Sequence, residues 1–226
     1  RLKSKNPMVV ISLSGGVDSM VSSFILKRLD FQVSALMINY KNREQSEREV
    51  QFVSSWCHRL EIPLMVTTIN YLSRSRDSDR SFYEQFTNKI RFQSYRELGI
   101  PVILGHNMDD CIENIFTNSM KGHNILDIEV MKKIGERKGV TIYRPLLDFP
   151  KSEIFDFAHK YNVPYFLDTT PEWSRRGRMR NEIFPLFDEV FTPSWKKKFK
   201  EIGTQSNQWN DTIERLIINP WFENVV

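Results

Sequence analysis

Cysteine is nearly absent from this sequence, and its scarcity excludes several kinds of site. Only Cys57 and Cys111 occur among the 226 residues, and they form no Cys-x-x-Cys pair. We therefore expect neither a disulfide framework nor a cysteine-rich zinc or iron–sulfur site. Because two lone cysteines suit a reducing compartment, the predicted location is the cytoplasm.

Long apolar runs are also missing. No stretch approaches the roughly 18 apolar residues that a membrane-spanning helix requires, so we expect no membrane partner. The basic start of the chain precedes only a short apolar run at residues 8–13. This run is too short for a signal peptide and is typical of a strand.

The whole chain has only a small excess of positive charge, but one segment is strongly basic. The formal net charge is only +4, yet residues 173–200 contain eight Lys or Arg and three acidic residues. Such a segment is consistent with a polyanionic partner, and equally with a solvated helix face. The hydrophobic fraction of 40% is sufficient for a sizeable core.

Short apolar segments alternate with segments of helical periodicity. The pattern predicts strands at residues 8–13, 33–38, 64–69, 101–104 and 141–143, and helices at 17–29, 46–60, 82–98, 109–119 and 151–161. This alternation indicates an α/β fold with a doubly wound parallel sheet. Ligands bind such sheets at the carboxyl ends of the strands, so the loops at 14–19, 37–43 and 105–110 should converge.

The pattern changes after Asp168. Residues 169–181 are polar and basic, and residues 183–221 have helical periodicity with several aromatic residues. We therefore predict a catalytic domain at residues 1–168 and a basic, mainly helical C-terminal segment at 169–226.

A glycine-rich loop separates the first predicted strand from the first predicted helix. It has the sequence Ser14-Gly15-Gly16-Val17-Asp18-Ser19, and its glycines permit positive φ and close approach of the backbone. Backbone N–H groups at a helix N-terminus bind anions, and the two serines add hydroxyl donors. The hexapeptide predicts a phosphate-binding loop; a plain glycine turn capped by Ser and Asp is the alternative.

Asp18 is unusual in a phosphate loop because it is itself an anion, and we interpret it as a helix cap or an acid near a metal ion. The loop lacks the Lys followed by Ser or Thr of a Walker A loop, which disfavours γ-phosphoryl transfer. It instead resembles the signature of the PP-loop ATP pyrophosphatases. That resemblance implies a Rossmann-like, adenine nucleotide alpha hydrolase-like fold. It also implies cleavage between the α- and β-phosphates, with transfer of AMP to the substrate and release of pyrophosphate.

A second group of polar residues follows the fourth predicted strand, in Gly105-His106-Asn107-Met108-Asp109-Asp110-Cys111-Ile112-Glu113. Asp110 and Glu113 are three residues apart and share one helical face. Oxygen ligands at this spacing suit Mg²⁺, which also bridges phosphates. Alternatively, the acids complement the helix N-terminus, with Asp109 as the cap. Next to a phosphate loop, we favour the magnesium site.

This segment is similar to the His-x-x-Asp-Asp-x-x-Glu motif of the tRNA(Ile)-lysidine synthetases. Further stretches resemble that family in the same order, over residues 8–190 as a whole. They are Ile38-Asn39-Tyr40-Lys41-Asn42-Arg43, Lys89-Ile90-Arg91-Phe92, Tyr143-Arg144-Pro145-Leu146-Leu147 with Lys151, and Asp168 followed by Arg176-Gly177-Arg178-Met179-Arg180 and Pro185.

Three departures from the family pattern bear on specificity. Tyr40 stands where the family usually has His, Gly177 replaces the usual Asn, and residues 121–127 retain few of the family's glycines. We expect the chain to lack the family's C-terminal tRNA-binding extensions. We therefore interpret the chain as a short or divergent form.

The resemblance implies a ligase that adenylates O2 of the wobble cytidine of a tRNA and attaches lysine, with ATP and Mg²⁺ as cofactors. Its implied ATP-binding residues are Ser14, Gly15, Gly16, Val17, Asp18, Ser19, Met37 and His106. Its implied catalytic residues are Asp18, Asp110, Glu113, Arg176 and Arg180, with Asp110 and Glu113 also the metal ligands. The residues implied for tRNA or substrate are Asn39, Arg91, Arg144, Asp168 and Arg178.

Other functions remain open alternatives. A tRNA thiolase shares the loop, although many such enzymes carry the Cys-x-x-Cys clusters that are missing here. A small-molecule amidotransferase or synthetase would not need the basic segment at 173–200. A degenerate PP-loop module would bind tRNA without catalysis.

Overall fold

The computed structural model describes residues 8–41, 45–69, 80–129, 131–167, 172 and 174–225. The chain divides into two compact units. The first comprises Arg1–His106 and Lys133–Asp168, and the second comprises Asn107–Lys132 and Thr169–Val226. The chain from Asn107 to Lys132 thus groups with the C-terminal segment, while the proposed domain boundary after residue 168 stays a prediction.

The described residues form strands and helices in alternation. The strands are β1 (Met8–Ser12), β2 (Gln32–Asn39), β3 (Leu64–Thr68), β4 (Val102–Ile103), β5 (Ile134–Arg137) and β6 (Val140–Tyr143). The α-helices are α1 (Val17–Arg28), α2 (Ser46–Arg59), α3 (Arg80–Leu98), α4 (Met108–Met120), α5 (Lys151–Lys160), α6 (Arg175–Arg178), α7 (Phe184–Phe191), α8 (Trp195–Ile213) and α9 (Asn219–Val225). A 3₁₀ turn spans Ile125–Asp127, and π-helical turns span Met179–Ile183 and Glu214–Ile218.

The first unit contains a six-stranded sheet with the order β3-β2-β1-β4-β6-β5. All neighbouring strands are parallel except β5 and β6. The predicted doubly wound parallel sheet is therefore confirmed. The edge strand β5 was not predicted; it joins β6 through Lys138 and Gly139, which have φ of +52° and +74°. Positive φ at both positions is typical of a two-residue hairpin turn.

Strand β1 is buried on both faces, as a central parallel strand should be. Val9 and Ile11 pack in one apolar cluster with residues of α1, α2 and α5, whereas Val10 packs in a second cluster with Phe92 and Tyr95 of α3. Because alternate residues of a strand face opposite sides, these clusters lie on opposite faces of the sheet. Helices therefore cover both faces of the sheet. A ligand would bind at the loops that follow the carboxyl ends of the strands.

The second unit is helical, as the periodicity of residues 183–221 predicts. Ile112 of α4 is buried with Met179, Phe184 and Trp195. Partly buried aromatic side chains pack around this group, and Phe116 lies edge-on to Phe184 and Phe187 with ring centroids 6.3 and 5.9 Å apart. Within the described ranges, no helix is both long and apolar enough to cross a bilayer.

Candidate active site

The phosphate loop connects β1 to α1 through an obligatory glycine. Gly15 has φ of +83°, a conformation that L side chains rarely adopt. A Cβ at this position would lie 3.3 Å from side-chain atoms of both Phe166 and Val53. The carbonyl of Gly15 accepts a hydrogen bond of 2.9 Å from the Phe166 amide. The loop backbone is therefore fixed on one side and has no room for a larger residue.

Two serines hold the loop closed on the α1 side. The Ser19 hydroxyl donates to the Gly16 carbonyl at 2.9 Å and accepts from the Ser14 amide at 3.2 Å. The hydroxyl oxygens of Ser14 and Ser19 are 3.2 Å apart. Helix α1 begins after Gly16, which has no side chain to cap it. The first amides of α1 thus keep their capacity to bind an anion, and the interpretation of Asp18 as the helix cap is wrong.

Asp18 forms an ion pair with a lysine from a distant helix. Lys151 Nζ donates to Asp18 Oδ2 at 2.5 Å, and both side chains are partly buried. Lys151 is the first residue of α5, where a cation opposes the helix dipole. In the sequence, Lys151 belongs to a stretch that resembles the family, and no role was predicted for it. A lysine at a helix N-terminus is electrostatically unfavourable, and this position could have indicated a functional role for Lys151.

The loop after β4 packs against the phosphate loop. A Cβ at Gly105 would lie 3.0 Å from the carbonyl carbon of Asp18 and from the amide nitrogen of Ser19. The next residue, His106, accepts a hydrogen bond of 3.1 Å at Nδ1 from Arg144 Nε. Arg144 follows β6 and is buried. The expected convergence is therefore confirmed for the loops at 14–19 and 105–106, and Arg144 joins them.

The predicted residues on β2 and α3 lie at the same end of the sheet. Asn39 is buried, and its Oδ1 accepts a hydrogen bond of 3.0 Å from the Lys41 amide. Met37 is buried in the apolar core, so its side chain faces core residues. Tyr95 Oη donates to Ser12 Oγ at 2.7 Å, and burial raises the pKa of Tyr95. One turn earlier, Arg91 has a buried Nε with no hydrogen-bond partner among the described residues.

In the second unit, α4 begins with a reciprocal capping box. Asn107 Oδ1 accepts from the Asp110 amide, and Asp110 Oδ2 accepts from the Asn107 amide, both at 3.1 Å. The expectation that Asp109 caps the helix is therefore wrong, because the residue one turn before Asp110 supplies the cap. Asp109 instead lies 3.7 Å from Lys196 Nζ.

Asp110 and Glu113 are brought together with two of the predicted arginines. Arg180 Nε donates to Glu113 Oε1, and Arg180 Nη2 lies 3.4 Å from Asp110 Oδ1. Arg176 Nε lies 3.1 Å from Glu113 Oε2 as an ion pair without hydrogen-bond alignment. The Glu113 side chain is only 2% exposed. Its burial raises the pKa of Glu113, and the hydrogen bond and charge of Arg180 oppose that rise.

This arrangement does not fit a ready magnesium site. Proteins often bind Mg²⁺ through one or two carboxylates, so the pair would be sufficient in number. Here, however, every oxygen of the pair already faces a backbone amide or a guanidinium group. Among the described residues there is also no group of three or more His, Cys, Asp or Glu side chains that could hold a metal ion. The assignment of Asp110 and Glu113 as metal ligands stays a prediction.

The basic segment is largely neutralised within the second unit. Arg178 makes a bidentate pair with Glu182 on the surface, Lys196 pairs with Asp109, and Lys200 pairs with the buried Glu129. Much of the positive charge counted in the sequence therefore faces a carboxylate of the same chain. Asp168, Asn42 and Arg43 lie outside the described residues.

Comparison with known proteins identifies the family. A family model described as a PP-loop domain matches residues 2–187. The tRNA(Ile)-lysidine synthase of Chlamydia muridarum is 30% identical over 215 residues, covering 93% of this chain and 67% of the relative. This chain belongs to the PP-loop family, in its tRNA(Ile)-lysidine synthase branch. The predicted family is thus confirmed, and ATP is the nucleotide expected at the loop of a PP-loop protein.

Two further similarities mark the extent of this match. The tRNA(Ile)-lysidine synthase of Thermotoga maritima is 28% identical over 220 residues, which cover 92% of this PP-loop chain but 52% of the relative. The chain thus spans between about half and two thirds of these two relatives. The U34-tRNA thiolase NcsA from Methanococcus maripaludis superposes with a TM-score of 0.74 at 21% identity, covering 93% of this chain and 75% of the thiolase. At that identity the structure supports the fold alone.

Proposed function

We propose that this PP-loop chain adenylates a cytidine of tRNA with ATP and then attaches lysine. Cytosine O2 attacks the α-phosphorus of ATP and pyrophosphate leaves. The lysine ε-amine then attacks C2, the bond to O2 breaks, AMP leaves and the amine loses a proton. The observation that carries the proposal is the phosphate loop: an uncapped α1 N-terminus behind Gly15 with positive φ. Family membership supplies the tRNA substrate class.

The phosphate loop supports the departure of pyrophosphate. The amides of the first turn of α1 and the hydroxyls of Ser14 and Ser19 are donors at one end of the sheet. Donors fixed before the reaction stabilise developing phosphate charge without reorganisation. Lys151 adds a cation beside this loop and replaces the lysine that a Walker A loop would supply. Asp18 holds that ammonium group in position.

Residues for the nucleoside and for lysine are proposed at the neighbouring strand ends. His106 and Arg144 are hydrogen-bonded to each other after β4 and β6. Arg91 carries a buried Nε that has no hydrogen-bond partner in the described part of the chain and that a substrate oxygen could satisfy. Asn39 lies at the end of β2. Mg²⁺ would accompany the triphosphate of ATP, because every carboxylate oxygen of Asp110 and Glu113 already faces a backbone amide or a guanidinium group.

A thiolase activity is the second candidate, and the cysteines argue against it. Cys57 and Cys111 are both buried. Burial raises the pKa of Cys57 to about 11 and that of Cys111 to about 12. Because the thiolate is the reactive form, neither cysteine is suited to carry sulfur at neutral pH.

The test compares two lysines of the same helix. In pyrophosphate exchange measured with tRNA present, Lys151→Met should lower kcat/KM for ATP about 10- to 100-fold, since it removes a cation that stabilises phosphate charge. Lys160→Met, at the other end of α5, should leave exchange unchanged. Equal rates for both variants would remove Lys151 from the site.

Labelled lysine tests the substrate class. We expect its ATP-dependent incorporation into a cytidine of tRNA, detected by mass spectrometry of the nuclease digest. If wild-type protein releases pyrophosphate only with a free metabolite and labels no tRNA, a small-molecule synthetase is correct instead.

A further inference from the structure

The turn between β5 and β6 begins with a residue that its backbone conformation disfavours. Lys138 has φ of +52°, and the next residue, Gly139, has φ of +74°. Two-residue hairpin turns with positive φ at both positions favour Asn, Asp or Gly, because other side chains crowd the backbone there. A lysine at such a position indicates a function for its side chain.

The side chains of this turn bring two cations to one aromatic ring. Arg137 Cζ lies 5.6 Å and Lys138 Nζ 5.3 Å from the centroid of the Phe92 ring on α3. Lys138 Nζ also donates to Asn88 Oδ1 at 2.8 Å. Phe92 is buried whereas both cations are exposed, so the ring forms an apolar floor beneath them.

Helix α3 adds two further cations to the same place. Lys89 and Arg96 are exposed and share the helix face of Phe92. Arg96 Nη1 donates a long hydrogen bond of 3.5 Å to the carbonyl of Lys138, which joins the helix to the turn. We call these four residues the hairpin patch: Lys89, Arg96, Arg137 and Lys138.

The charge of the hairpin patch is not compensated locally. Among the described residues, no carboxylate forms an ion pair with any of its four cations. Glu97 accepts a hydrogen bond of 3.0 Å from Gln93, and Glu136 alternates with Arg137 along β5, so its side chain is directed to the opposite face of the sheet. In contrast, several cations of the basic segment at 173–200 face acids of their own unit.

A small cleft opens beside the hairpin patch. It lies between the end of α3 and the starts of β4 and β6, and its lining includes Arg96, Gly139 and Thr141. Its volume is about 140 Å³, whereas pockets that hold whole small-molecule ligands measure roughly 300–1,000 Å³. A cleft of this size favours a phosphate group carried by a longer chain over a free nucleotide.

The hairpin patch lies at the opposite end of β6 from the candidate active site. Arg144 follows β6 at the site, whereas Lys138 and Gly139 precede the strand. The four residues of β6 span about 13 Å. Because phosphates follow one another every few ångströms along a nucleic-acid strand, a few nucleotides are enough to cover this distance.

We propose that the hairpin patch binds backbone phosphates of the RNA substrate a few nucleotides from the one that reacts, and that this contact is the reason for a lysine at the disfavoured turn position. Contacts of Lys and Arg with phosphates fix the position of a nucleic acid without reading its sequence. The choice of RNA as the polyanion rests on the proposed tRNA function, whereas the place of the surface rests on the charges of the turn and of α3.

The first experiment separates binding from stability at one position. Lys138→Asn places a favoured residue in the turn, so the variant should melt at or above the temperature of the wild type. The same change removes a phosphate contact. It should therefore weaken binding of an unmodified isoleucine tRNA transcript about threefold to tenfold, and lower the slope of log affinity against log salt by about one. Lys138→Arg keeps the charge and should bind like the wild type. Wild-type affinity and salt slope in Lys138→Asn would overturn the proposal.

Lys160→Gln is the matched control for charge. Lys160 is exposed on α5, which packs on the opposite face of the sheet from α3. Its loss changes the net charge by the same amount and should leave binding and salt slope unchanged. Equal weakening by Lys160→Gln and Lys138→Asn would show a diffuse attraction by net charge, and would refute a defined surface.

A footprint on the wild-type chain tests the surface without a substitution. Lysine acetylation is quantified at each site by mass spectrometry, with and without the transcript. We expect tRNA to protect Lys89 and Lys138 and to leave Lys160 reactive. If ATP alone protects Lys138 as well as tRNA does, the surface binds a free nucleotide and the RNA proposal is wrong.

The outcomes separate this inference from the proposed function. If the wild type attaches lysine to tRNA while Lys138→Asn binds tRNA normally, the inference is wrong and the function stands. If Lys138→Asn weakens binding but the wild type attaches no lysine, the surface is supported and the reaction is refuted. A wild type that binds no tRNA refutes both. Normal binding together with aggregation of Lys138→Asn would show that the cations protect the exposed edge of β5 instead.

Discussion

The phosphate loop and the acid–arginine cluster are built in opposite ways. Within the loop, residues 14–19, the backbone conformation and hydrogen bonds between residues at most five positions apart set the shape, and Phe166 and Lys151 add contacts from distant parts of the chain. The cluster of Asp110, Glu113, Arg176 and Arg180 is held by side chains 67 and 70 positions apart. A loop of the first kind can be recognised from a hexapeptide. The partners in a cluster of the second kind become visible only after folding.

The two sites also differ in how they treat charge. Beside the loop, Lys151 and Asp18 form a single ion pair, and the helix amides keep their capacity for an anion. In the cluster, two acids face two arginines, and Glu113 is almost inaccessible to water. We therefore expect the loop to be sensitive to changes of backbone conformation, and the cluster to be sensitive to changes of charge.

The largest expected effect is on the cluster. Glu113→Ala leaves Arg180 and Arg176 facing a cavity without their buried carboxylate, and should lower the free energy of unfolding by about 3–5 kcal/mol. Glu182→Ala breaks an ion pair that is exposed to water and should leave the stability almost unchanged. Urea denaturation of both variants measures the difference. Similar midpoints for the two would contradict the contrast between buried and exposed pairs.

The next effect is on the loop backbone. Gly15→Ala places a Cβ where φ is +83° and where Phe166 and Val53 lie 3.3 Å away. We expect a loss of about 1–3 kcal/mol in the free energy of unfolding. Gly16→Ala is the matched control, since Gly16 has φ of −73° and its Cβ would meet only Ser14 Oγ, at 3.6 Å. Its stability should stay within about 0.5 kcal/mol of the wild type. If both substitutions cost the same, the conformation of Gly15 is not the constraint.

A smaller effect concerns the helix that carries the acids. Asn107→Ala removes the side-chain cap of α4 and should cost about 1 kcal/mol, whereas Asn107→Ser keeps an acceptor and should lose much less. Thermal melts of the two variants measure the difference. Asp110 Oδ2 accepts from the backbone amide of Asn107, which both variants keep, so the loss should be confined to the helix cap. A loss of equal size in both variants would show that the side-chain cap is not the cause.

The sequence predicted what contiguous residues determine. The strand, loop and helix around residues 8–29 follow from an apolar run, two glycines and a helical period, and all lie where expected. Strand β5 was missed because its four residues, Ile134–Arg137, are mostly polar and exposed, and only pairing with β6 makes them a strand. Such pairing carries little local signal at a sheet edge.

The candidate site was predicted residue by residue but not contact by contact. Asp110, Glu113, Arg176 and Arg180 were singled out, yet their mutual ion pairs were not, because spacing alone does not show which charges meet. The same limit explains Asp109, whose position in the first turn of α4 suits a cap but whose neighbour Asn107 forms it. Lys151 was left without a role because its partner, Asp18, lies 133 positions away.

The smallest expected effect is on the alkylation rates of the two cysteines, which report on the two units of one molecule. Cys57 lies in the first unit and Cys111 in the second, and both are buried. Burial raises the pKa of Cys57 to about 11 and of Cys111 to about 12, so neither is a thiolate in the folded chain at pH 8. Alkylation then requires local opening. An unfolded thiol ionises near pH 8.5. Each cysteine therefore stabilises the fold below that pH, and this contribution is lost as pH rises toward the raised pKa.

Mass spectrometry after timed alkylation at pH 8 reads each cysteine separately. Gly15→Ala should accelerate alkylation of Cys57 more than that of Cys111, because the strained loop belongs to the first unit. Glu113→Gln should do the reverse, since its ion pairs hold the helix that carries Cys111. Each 1.4 kcal/mol lost from local opening corresponds to about a tenfold faster reaction. Equal acceleration of both cysteines by either variant would mean that the loop and the cluster report one common opening, and the contrast drawn between them would then be one of geometry alone.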